Sequence, residues 1–331
     1  MTYLNWLLEN TSTTWWHDSA DVAELDLGLS RGASGVTTNP FLSALALQSS
    51  RSHWSSDIDA VLARNLPAAE KAEALMRIAV AHAAGKCSGY VCAQVNPLRA
   101  GDRDVMLAMA KRLTQWAPNI AVKLPATSAG LDVLEDCAAE GITTTLTVSF
   151  TVPQALAIGE RHRAGIRRAE AQGITPAKCF AVLMIGRLDD YLREVAQDNQ
   201  ASVSESDIRQ AGLAVTKRAY SIYREREYDA VLLVAALRGE YHLTELAGAE
   251  LVMSIHPSWQ GPFVGRDFPF EPRIECPVAS AVIDRLSQMP EFLKAYEPDG
   301  MSPADFITYG PTQRTLTQFC ETGWKPMESF R

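Results

Sequence analysis

The sequence has little of what marks several common protein classes. Six cysteines are present, but none forms a Cys-x-x-Cys pair or stands at zinc-ligand spacing from a histidine, which argues against a zinc site. Acidic residues outnumber lysine and arginine, and the net charge of −8 gives no general attraction to nucleic acid or to an anionic membrane. Nothing in the sequence supports a Ser-His-Asp set or a metal-binding cluster.

Export and membrane signals are also missing. The N-terminal segment MTYLNWLLENTSTTWW lacks a basic region followed by a long apolar stretch, so it does not resemble a secretory signal. No window approaches the roughly 18 consecutive apolar residues of a membrane span. Scattered cysteines in a chain of this size are typical of reduced core thiols. We therefore expect a cytoplasmic protein with neither a nucleic-acid nor a membrane partner.

What the sequence does contain is a regular alternation of β-rich runs and amphipathic helices. The β-rich runs occupy residues 13–19, 34–39, 88–96, 120–126, 142–150, 179–186, 228–237 and 250–257. This alternation predicts a parallel α/β fold, and eight strands are the number that closes a (β/α)8 TIM barrel. A doubly wound open sheet is the alternative. A doubly wound sheet that binds a nucleotide requires a glycine-rich loop after the first strand, but the sequence there, HDSADVAEL, contains no glycine.

No segment divides the chain into separate domains. Because no linker rich in proline, glycine or serine is found, we expect one barrel domain over residues 1–331 with an N-terminal helix. The long intervals 40–87 and 187–227 are predicted to be extra helices. The last part, from about residue 298, is predicted to be a helical tail over the barrel. The sequence leaves the oligomeric state open, with a homodimer among the candidates.

One lysine stands inside an otherwise apolar run, NIAVKLPAT (119–127). In a strand, Lys123 shares a face with Ala121 and Pro125. An ammonium group in a strand that is covered on both faces is costly unless it is paired or neutralised. The run alone favours a structural lysine that extends to solvent or forms an ion pair.

Polar residues follow the predicted strands at their C-terminal ends, where the active sites of (β/α)8 barrels lie. They are Asp18; Thr37, Thr38 and Asn39; Gln94 and Asn96; Lys123 and Thr127; Thr143, Thr145 and Thr147; Arg187; Arg238; and Ser254 and His256. Packing alone does not explain polar groups at the ends of all eight strands. Their presence favours a reactive Lys123 that forms a Schiff base with a substrate carbonyl.

Schiff-base chemistry needs further groups at the same barrel mouth. Asp18 is the candidate base for a substrate hydroxyl, and Thr147 is the candidate ligand of a catalytic water. Arg187 and Arg238 follow adjacent strands and could hold a phosphate bidentately.

Each of these roles has a structural alternative. Asp18 could merely cap the helix that follows, although Asp21 fills that role about as well. Arg187 could pair with Asp189 or Asp190 nearby in the sequence.

The sequence resembles the transaldolase family of class I aldolases. The segments that carry the resemblance are DSAD (18–21), GVTTNP (35–40), VKLPAT (122–127), GITTTLTVSFTVPQA (141–155), IGR (185–187) and AALRG (235–239). The resemblance covers roughly residues 11 to 260. The resemblance implies a (β/α)8 barrel that needs neither a metal nor an organic cofactor. It also implies transfer of a dihydroxyacetone unit from a ketose phosphate to an aldose phosphate through a Schiff base.

The same resemblance assigns roles to individual residues. Lys123 would form the Schiff base, Asp18 would transfer protons and Thr147 would hold the catalytic water. Asn39 would bind donor hydroxyls, with Thr37 and Thr145 as further candidates for substrate binding. Arg187 and Arg238 would hold the phosphate.

Several positions depart from the family pattern. Gln94 stands on the third strand where transaldolases carry a glutamate that relays protons through the water. Glutamine at this place is also found in the related fructose-6-phosphate aldolases, which cleave without transferring. Thr145 replaces the usual asparagine, Ala236 the phosphate-site serine, and the VLM segment (182–184) a Ser-Pro-Phe sequence.

These departures leave three functions open. The first is a transaldolase with altered specificity or proton handling. The second is an aldolase that releases the three-carbon unit. The third is a barrel that binds sugar phosphates without turnover.

The histidines raise one further question about proton transfer. His256 ends the eighth strand and could relay the protons that a glutamate handles elsewhere, or it could simply hydrogen-bond the backbone there. His17 alternates with Asp18 and is predicted to face the helices. His162, among arginines, is predicted to lie on a solvated helix face.

Overall fold

The computed structural model describes residues 1–331 and contains a curled, all-parallel sheet. Its strands are β1 (Thr14–His17), β2 (Val91–Gln94), β3 (Ile120–Pro125), β4 (Thr144–Thr147), β5 (Cys179–Leu183), β6 (Val231–Val234) and β7 (Val252–Ile255). Their order in the sheet is β1-β7-β6-β5-β4-β3-β2. The sheet thus brings β1 and β2 to its two edges.

The predicted second strand (34–39) lies between those edges. Val36 forms parallel bridges to His17 on one side and to Val91 on the other. The Val36 N–H donates to the Tyr90 carbonyl, and the Val36 carbonyl accepts from the Cys92 N–H, both at 2.9 Å. The prediction of a (β/α)8 barrel is therefore confirmed, with its second strand reduced to a short bridge.

This strand is short because turns border it closely on both sides. Gly32 has a φ of 95°, a left-handed conformation that ends the preceding turn. Asn39 already caps the next helix, in which Pro40 is the first residue. Only a few extended residues remain for the barrel wall.

Helices surround the sheet. They are α1 (Tyr3–Asn10), α2 (Val22–Ser30), α3 (Pro40–Ser49), α4 (Arg51–Leu62), α5 (Ala68–Lys86), α6 (Arg103–Leu113), α7 (Ser128–Ala139), α8 (Val152–Ala171), α9 (Ile185–Asp198), α10 (Glu205–Ile208), α11 (Ala211–Glu225), α12 (Glu240–Thr244), α13 (Pro257–Gly265), α14 (Ser280–Leu286), α15 (Pro290–Tyr296), α16 (Gly310–Gln318) and α17 (Lys325–Glu328). Short 3₁₀ turns cover Pro97–Arg99 and Phe306–Thr308, and a π-helical turn covers Phe319–Trp324. No helix is both long enough and apolar enough to cross a membrane.

Local sequence signals explain several helix ends. The Asp21 carboxylate accepts hydrogen bonds from the Ala23 and Glu24 N–H groups, so Asp21, not Asp18, caps α2. Gly141, with a φ of 72°, follows the end of α7. Because Asp21 caps the helix, the carboxylate of Asp18 is left for another role.

The barrel interior changes character along its axis. At the N-terminal end of the strands, the rings of Trp16 and Phe180 meet edge to face at 4.5 Å, and Tyr90 lies 5.6 Å from Phe180. At the other end the side chains pointing inward are polar, beginning with the neighbours Gln94, Lys123 and Thr145. These aromatic rings fill the interior below the polar side chains, and the space for a ligand lies at the C-terminal mouth.

The C-terminal tail lies across that mouth, with Phe319 lining the cavity there. The rings of Tyr309 and Tyr191 pack at 5.6 Å, which holds the start of α16 against α9. Beyond it, Gly323 approaches the main chain of α3 so closely that a β-carbon would lie 2.5 Å from the Phe41 nitrogen. Phe319 is thereby held over the barrel opening.

Candidate active site

Two adjoining cavities open at the C-terminal mouth of the barrel. The inner one, of about 80 Å³, is lined by Asp18, Thr37, Asn39, Lys123, Thr147, Val182, Met184, Arg187, Leu233, Ala235, Ala236, Ser254 and Phe319. The outer one, of about 340 Å³, shares Asp18, Asn39, Arg187, Ala236, Ser254 and Phe319 with it and adds Arg238 and His256. A larger groove of about 820 Å³ lies elsewhere, along α4 and α5, and contains none of these residues.

Lys123 is on β3 with its side chain in the inner cavity. It is 7% exposed, and its Nζ donates one hydrogen bond, of 3.1 Å, to the Thr38 carbonyl. The structure contains no ion pair for this lysine. The alternatives of an ion pair or an extension to solvent are therefore wrong. Lys123 is a buried amine at the bottom of a cavity, which is the placement that attack on a carbonyl requires.

Asp18 follows β1 and lines both cavities. Its Oδ1 accepts a 2.7 Å hydrogen bond from the Thr37 hydroxyl, which lies 2.6 Å from the Ser254 hydroxyl. Since a hydroxyl carries one proton, Thr37 donates to Asp18 and Ser254 donates to Thr37. This chain orients the carboxylate and leaves Oδ2 without an intramolecular partner. A substrate hydroxyl in the cavity could use that oxygen.

Asn39 and Thr147 also line the inner cavity. Asn39 Oδ1 accepts from the Leu42 N–H at 2.9 Å, so its NH₂ group remains available as a donor. Thr147, at the end of β4, is buried, and its hydroxyl has only a weak 3.8 Å contact with the Met184 Sδ. A hydroxyl with so weak a partner can readily bind a water or a ligand.

Among the residues with a predicted role, Gln94 and Thr145 line neither cavity. They flank Lys123 in register on the neighbouring strands. The Thr145 hydroxyl accepts from the Cys92 thiol at 3.6 Å and is fully buried. The Gln94 Oε1 is buried without a hydrogen-bond partner, which marks it as a place for an ordered water. Their catalytic and binding roles stay predictions.

Arg187 lies in the first turn of α9 and borders both cavities. Its guanidinium forms no ion pair; Nη1 is 3.4 Å from the Thr315 hydroxyl, and Nε is buried without a partner. Burial lowers the pKa of this guanidinium, and the positive charge of Arg238 lowers it further. The expectation that Asp189 or Asp190 could neutralise Arg187 is wrong. An unpaired, desolvated cation beside a second cation is suited to bind an anion.

Arg238 follows β6 and reaches the outer cavity only. Its Nε donates to the Asp190 carboxylate at 2.8 Å, and Nη1 donates to the Ala236 carbonyl at 3.0 Å. One carboxylate therefore holds the side chain without closing the whole donor fork. Arg187 and Arg238 together give the outer cavity its positive charge.

The histidines are placed differently. His256 lines the outer cavity, where its Nδ1 accepts from the Ser258 N–H at 3.2 Å and caps α13. His17 faces the helices, as predicted; burial lowers its pKa to about 4. The expectation for His162 is wrong: it is buried, with Nε2 at 2.9 Å from the Ala177 carbonyl.

Several cavity residues have no role in the sequence analysis, and three of them shape the site. Ser254 completes the hydrogen-bond chain to Asp18, Met184 covers Thr147, and Phe319 comes from the tail. Strand alternation marks Ser254 as facing inward, since it shares parity with His256. No sequence signal places Phe319, because it reaches the site from a segment beyond the last strand.

Comparison with known proteins decides the family. Residues 15–259 match the family model described as Transaldolase/Fructose-6-phosphate aldolase. The chain belongs to this family. Members of the transaldolase family are enzymes, and the matched region contains every cavity residue named above except Phe319.

Individual relatives carry the same name at low identity. The "Probable transaldolase" of Phenylobacterium zucineum is 31% identical over 237 residues, which are 70% of this chain and 81% of that protein. The "Probable transaldolase" of Dehalococcoides mccartyi is 28% identical over 70% of this chain and 80% of the relative. The "Transaldolase" of Thiobacillus denitrificans is 29% identical over 63% and 62%, respectively. Identities at this level establish the family but not the substrate.

Proposed function

We propose that the protein is a transaldolase that transfers a dihydroxyacetone unit between sugar phosphates through a Schiff base on Lys123. One observation carries the proposal. A buried amine and a carboxylate share an inner cavity, and an unpaired arginine stands where that cavity opens into a larger, positively charged one. A ketose phosphate has its carbonyl near one end and its phosphate at the other. It can therefore place the carbonyl by Lys123 and the phosphate by Arg187 and Arg238.

Formation of the Schiff base is the first step. The Lys123 amine attacks C2 of the ketose, and loss of water from the carbinolamine gives an iminium ion. That water needs a site and proton partners. Thr147, with its weakly bonded hydroxyl, and Gln94, with its unpartnered amide oxygen, supply polar groups on either side of β3.

Cleavage of the carbon–carbon bond is the second step. Asp18 accepts the proton of the C4 hydroxyl, the C3–C4 bond breaks, and its electron pair neutralises the iminium to give an enamine. The aldose phosphate leaves, and an acceptor aldehyde then adds by the reverse steps. Hydrolysis of the new imine returns the Lys123 amine. The Thr37–Ser254 chain keeps one Asp18 oxygen occupied and directs the other to the substrate.

Removing the unpaired arginine is expected to weaken binding of phosphorylated substrates selectively. Arg187→Gln should raise KM for fructose 6-phosphate about 10- to 100-fold, because a hydrogen bond to a charged group contributes about 1.5–3 kcal/mol. The rate of Lys123 modification by unphosphorylated dihydroxyacetone should stay unchanged. Steady-state kinetics and adduct formation measure the two effects.

Arg224→Gln is the matched control for this prediction. It removes an exposed arginine that pairs only with Glu275, at 2.7 Å, and does not line the cavities. Equal losses with phosphorylated and unphosphorylated substrates in Arg187→Gln would place the phosphate elsewhere.

Cleavage without transfer is the second candidate function, because Gln94 cannot titrate. The two activities differ in one assay. A transaldolase given fructose 6-phosphate alone releases little free dihydroxyacetone and forms new ketose phosphate only when a four-carbon aldose phosphate is added. Steady release of dihydroxyacetone from the donor alone, at the rate seen with acceptor, would instead identify an aldolase.

The missing carboxylate leads to a separate prediction. Gln94→Glu should raise turnover about 10-fold, since a positioned acid–base group contributes about 10²- to 10⁴-fold and this glutamate would flank Lys123.

His256→Ala should change turnover less than about threefold, because His256 caps α13 at the outer cavity and does not line the inner one. Loss of imine formation in His256→Ala, with the fold intact, would make the histidine the proton relay.

A further inference from the structure

A buried Asp–His pair lies behind the phosphate end of the site. His242 Nε2 is 3.0 Å from Asp189 Oδ2, and both side chains are fully buried. Neither residue lines the inner or the outer cavity. Asp189 directly precedes the aspartate that binds the Arg238 side chain, and His242 lies four residues after Arg238.

The hydrogen bonds around this pair define its protonation pattern. The main-chain N–H of Arg238 donates to His242 Nδ1 at 3.1 Å. Nδ1 is therefore an acceptor, and the ring proton is on Nε2. Nε2 therefore donates to Asp189 Oδ2. The other carboxylate oxygen, Oδ1, accepts from the Gly212 N–H at 2.8 Å. A continuous series of hydrogen bonds thus connects the backbone of α11 to the backbone of Arg238.

These hydrogen bonds hold the main-chain segment around Arg238, and that segment contains a strained residue. Ala236 has a φ of 58°, a left-handed conformation that is strained for a residue with a β-carbon. Gly186 lies so close that a β-carbon there would be 2.2 Å from the Ala236 carbonyl oxygen and 2.4 Å from the Arg238 Cγ. Strained backbone persists where its surroundings fix it, and the His242 hydrogen bond is one such constraint.

We propose that Asp189 and His242 are positioning residues that hold the Arg238 main chain so that its guanidinium meets the substrate phosphate. The proposal rests on the proposed function, in which Arg238 binds that phosphate. Two consecutive aspartates then have complementary roles, since Asp190 orients the Arg238 side chain and Asp189 fixes its backbone through His242.

The first test is Asp189→Asn, which keeps the shape of the side chain but reverses one hydrogen bond. If the amide oxygen still accepts from Gly212, the amide nitrogen faces Nε2 and favours the tautomer with the proton on Nδ1. A proton on Nδ1 would point at the main-chain N–H of Arg238, and the hydrogen bond between them would be lost. We expect Kd for inorganic phosphate, measured by calorimetry, and KM for fructose 6-phosphate to rise about 3- to 10-fold. The kcat at saturation should change less than twofold.

Two substitutions of the histidine separate its two hydrogen bonds. His242→Asn places an amide oxygen near the position of Nδ1 and keeps the acceptor for Arg238. His242→Gln places an amide nitrogen near the position of Nε2 and keeps the donor to Asp189. We expect His242→Asn to retain phosphate affinity better than His242→Gln, even if both lower Tm. Equal phosphate affinities in the two variants would overturn the proposal.

A double variant shows whether Asp189 affects phosphate binding through Arg238. In an Arg238→Met background, Asp189→Asn should have no further effect on phosphate Kd. The same loss in both backgrounds would overturn the positioning role. Because phosphate binding needs no turnover, a wild-type protein that binds phosphate but forms no adduct with a ketose would refute the proposed function alone. Wild-type protein that binds no inorganic phosphate would overturn the positioning proposal itself.

Discussion

Replacing Lys123 by methionine is expected to lower turnover at least about 10⁴-fold, because no other group in the inner cavity can form the imine. Methionine has a similar length and no charge, so a site that is 7% exposed should accept it without unfolding. Phosphate should still bind at Arg187 and Arg238. Coupled assays of transfer and calorimetry with inorganic phosphate measure the two properties.

Lys86→Met is the control for this experiment. Lys86 pairs with Asp26 on the surface at 2.6 Å and lies outside both cavities. It should behave as wild type in both assays. Turnover in Lys123→Met within tenfold of the wild type would mean that the reaction does not pass through this amine.

Replacing Asp18 by asparagine is expected to separate imine formation from bond cleavage. An asparagine oxygen can still accept from Thr37, so the side chain should keep its place, but it cannot take the proton of the C4 hydroxyl. Turnover should fall about 10²- to 10⁴-fold. Borohydride should still trap the donor on Lys123, now as the uncleaved sugar phosphate, which mass spectrometry distinguishes from the three-carbon unit.

Asp21→Asn provides a matched change three residues away. Asp21 caps α2, and asparagine is about as good a cap, so both stability and turnover should stay close to the wild type. If Asp18→Asn loses trapping and turnover to the same extent, Asp18 acts in imine formation and another group is the base for cleavage.

Much of the fold could be predicted from alternation in the sequence. The order of strands and helices and the inward direction of Lys123 follow from local patterns that each strand contains. The length of the second strand does not, because the ladder ends where Gly32 and Asn39 turn the chain. His162 shows a missed signal: Ile158, His162 and Ala169 lie on one buried face of α8 at helical spacing, despite the arginines around them.

The site was predictable where a strand end places a residue, and less so where distant segments meet. Asp18 follows β1, Lys123 lies within β3 and Thr147 ends β4, and all three reach the inner cavity. The partner of Asp190 was not predictable, because the choice between Arg187 and Arg238 depends on contacts between residues far apart in the chain. The hydrogen bonds of Asp189 and His242 could not be predicted from the sequence for the same reason.

Trapping of the imine tests the central claim most directly. The wild-type protein would be incubated with fructose 6-phosphate, reduced with borohydride, digested and analysed by mass spectrometry. We predict a covalent, reduced adduct of the donor or its dihydroxyacetone unit on Lys123 and on no other lysine, and none when borohydride is omitted. An unmodified Lys123 with every ketose phosphate tried, in protein that still binds phosphate, would contradict the Schiff-base mechanism.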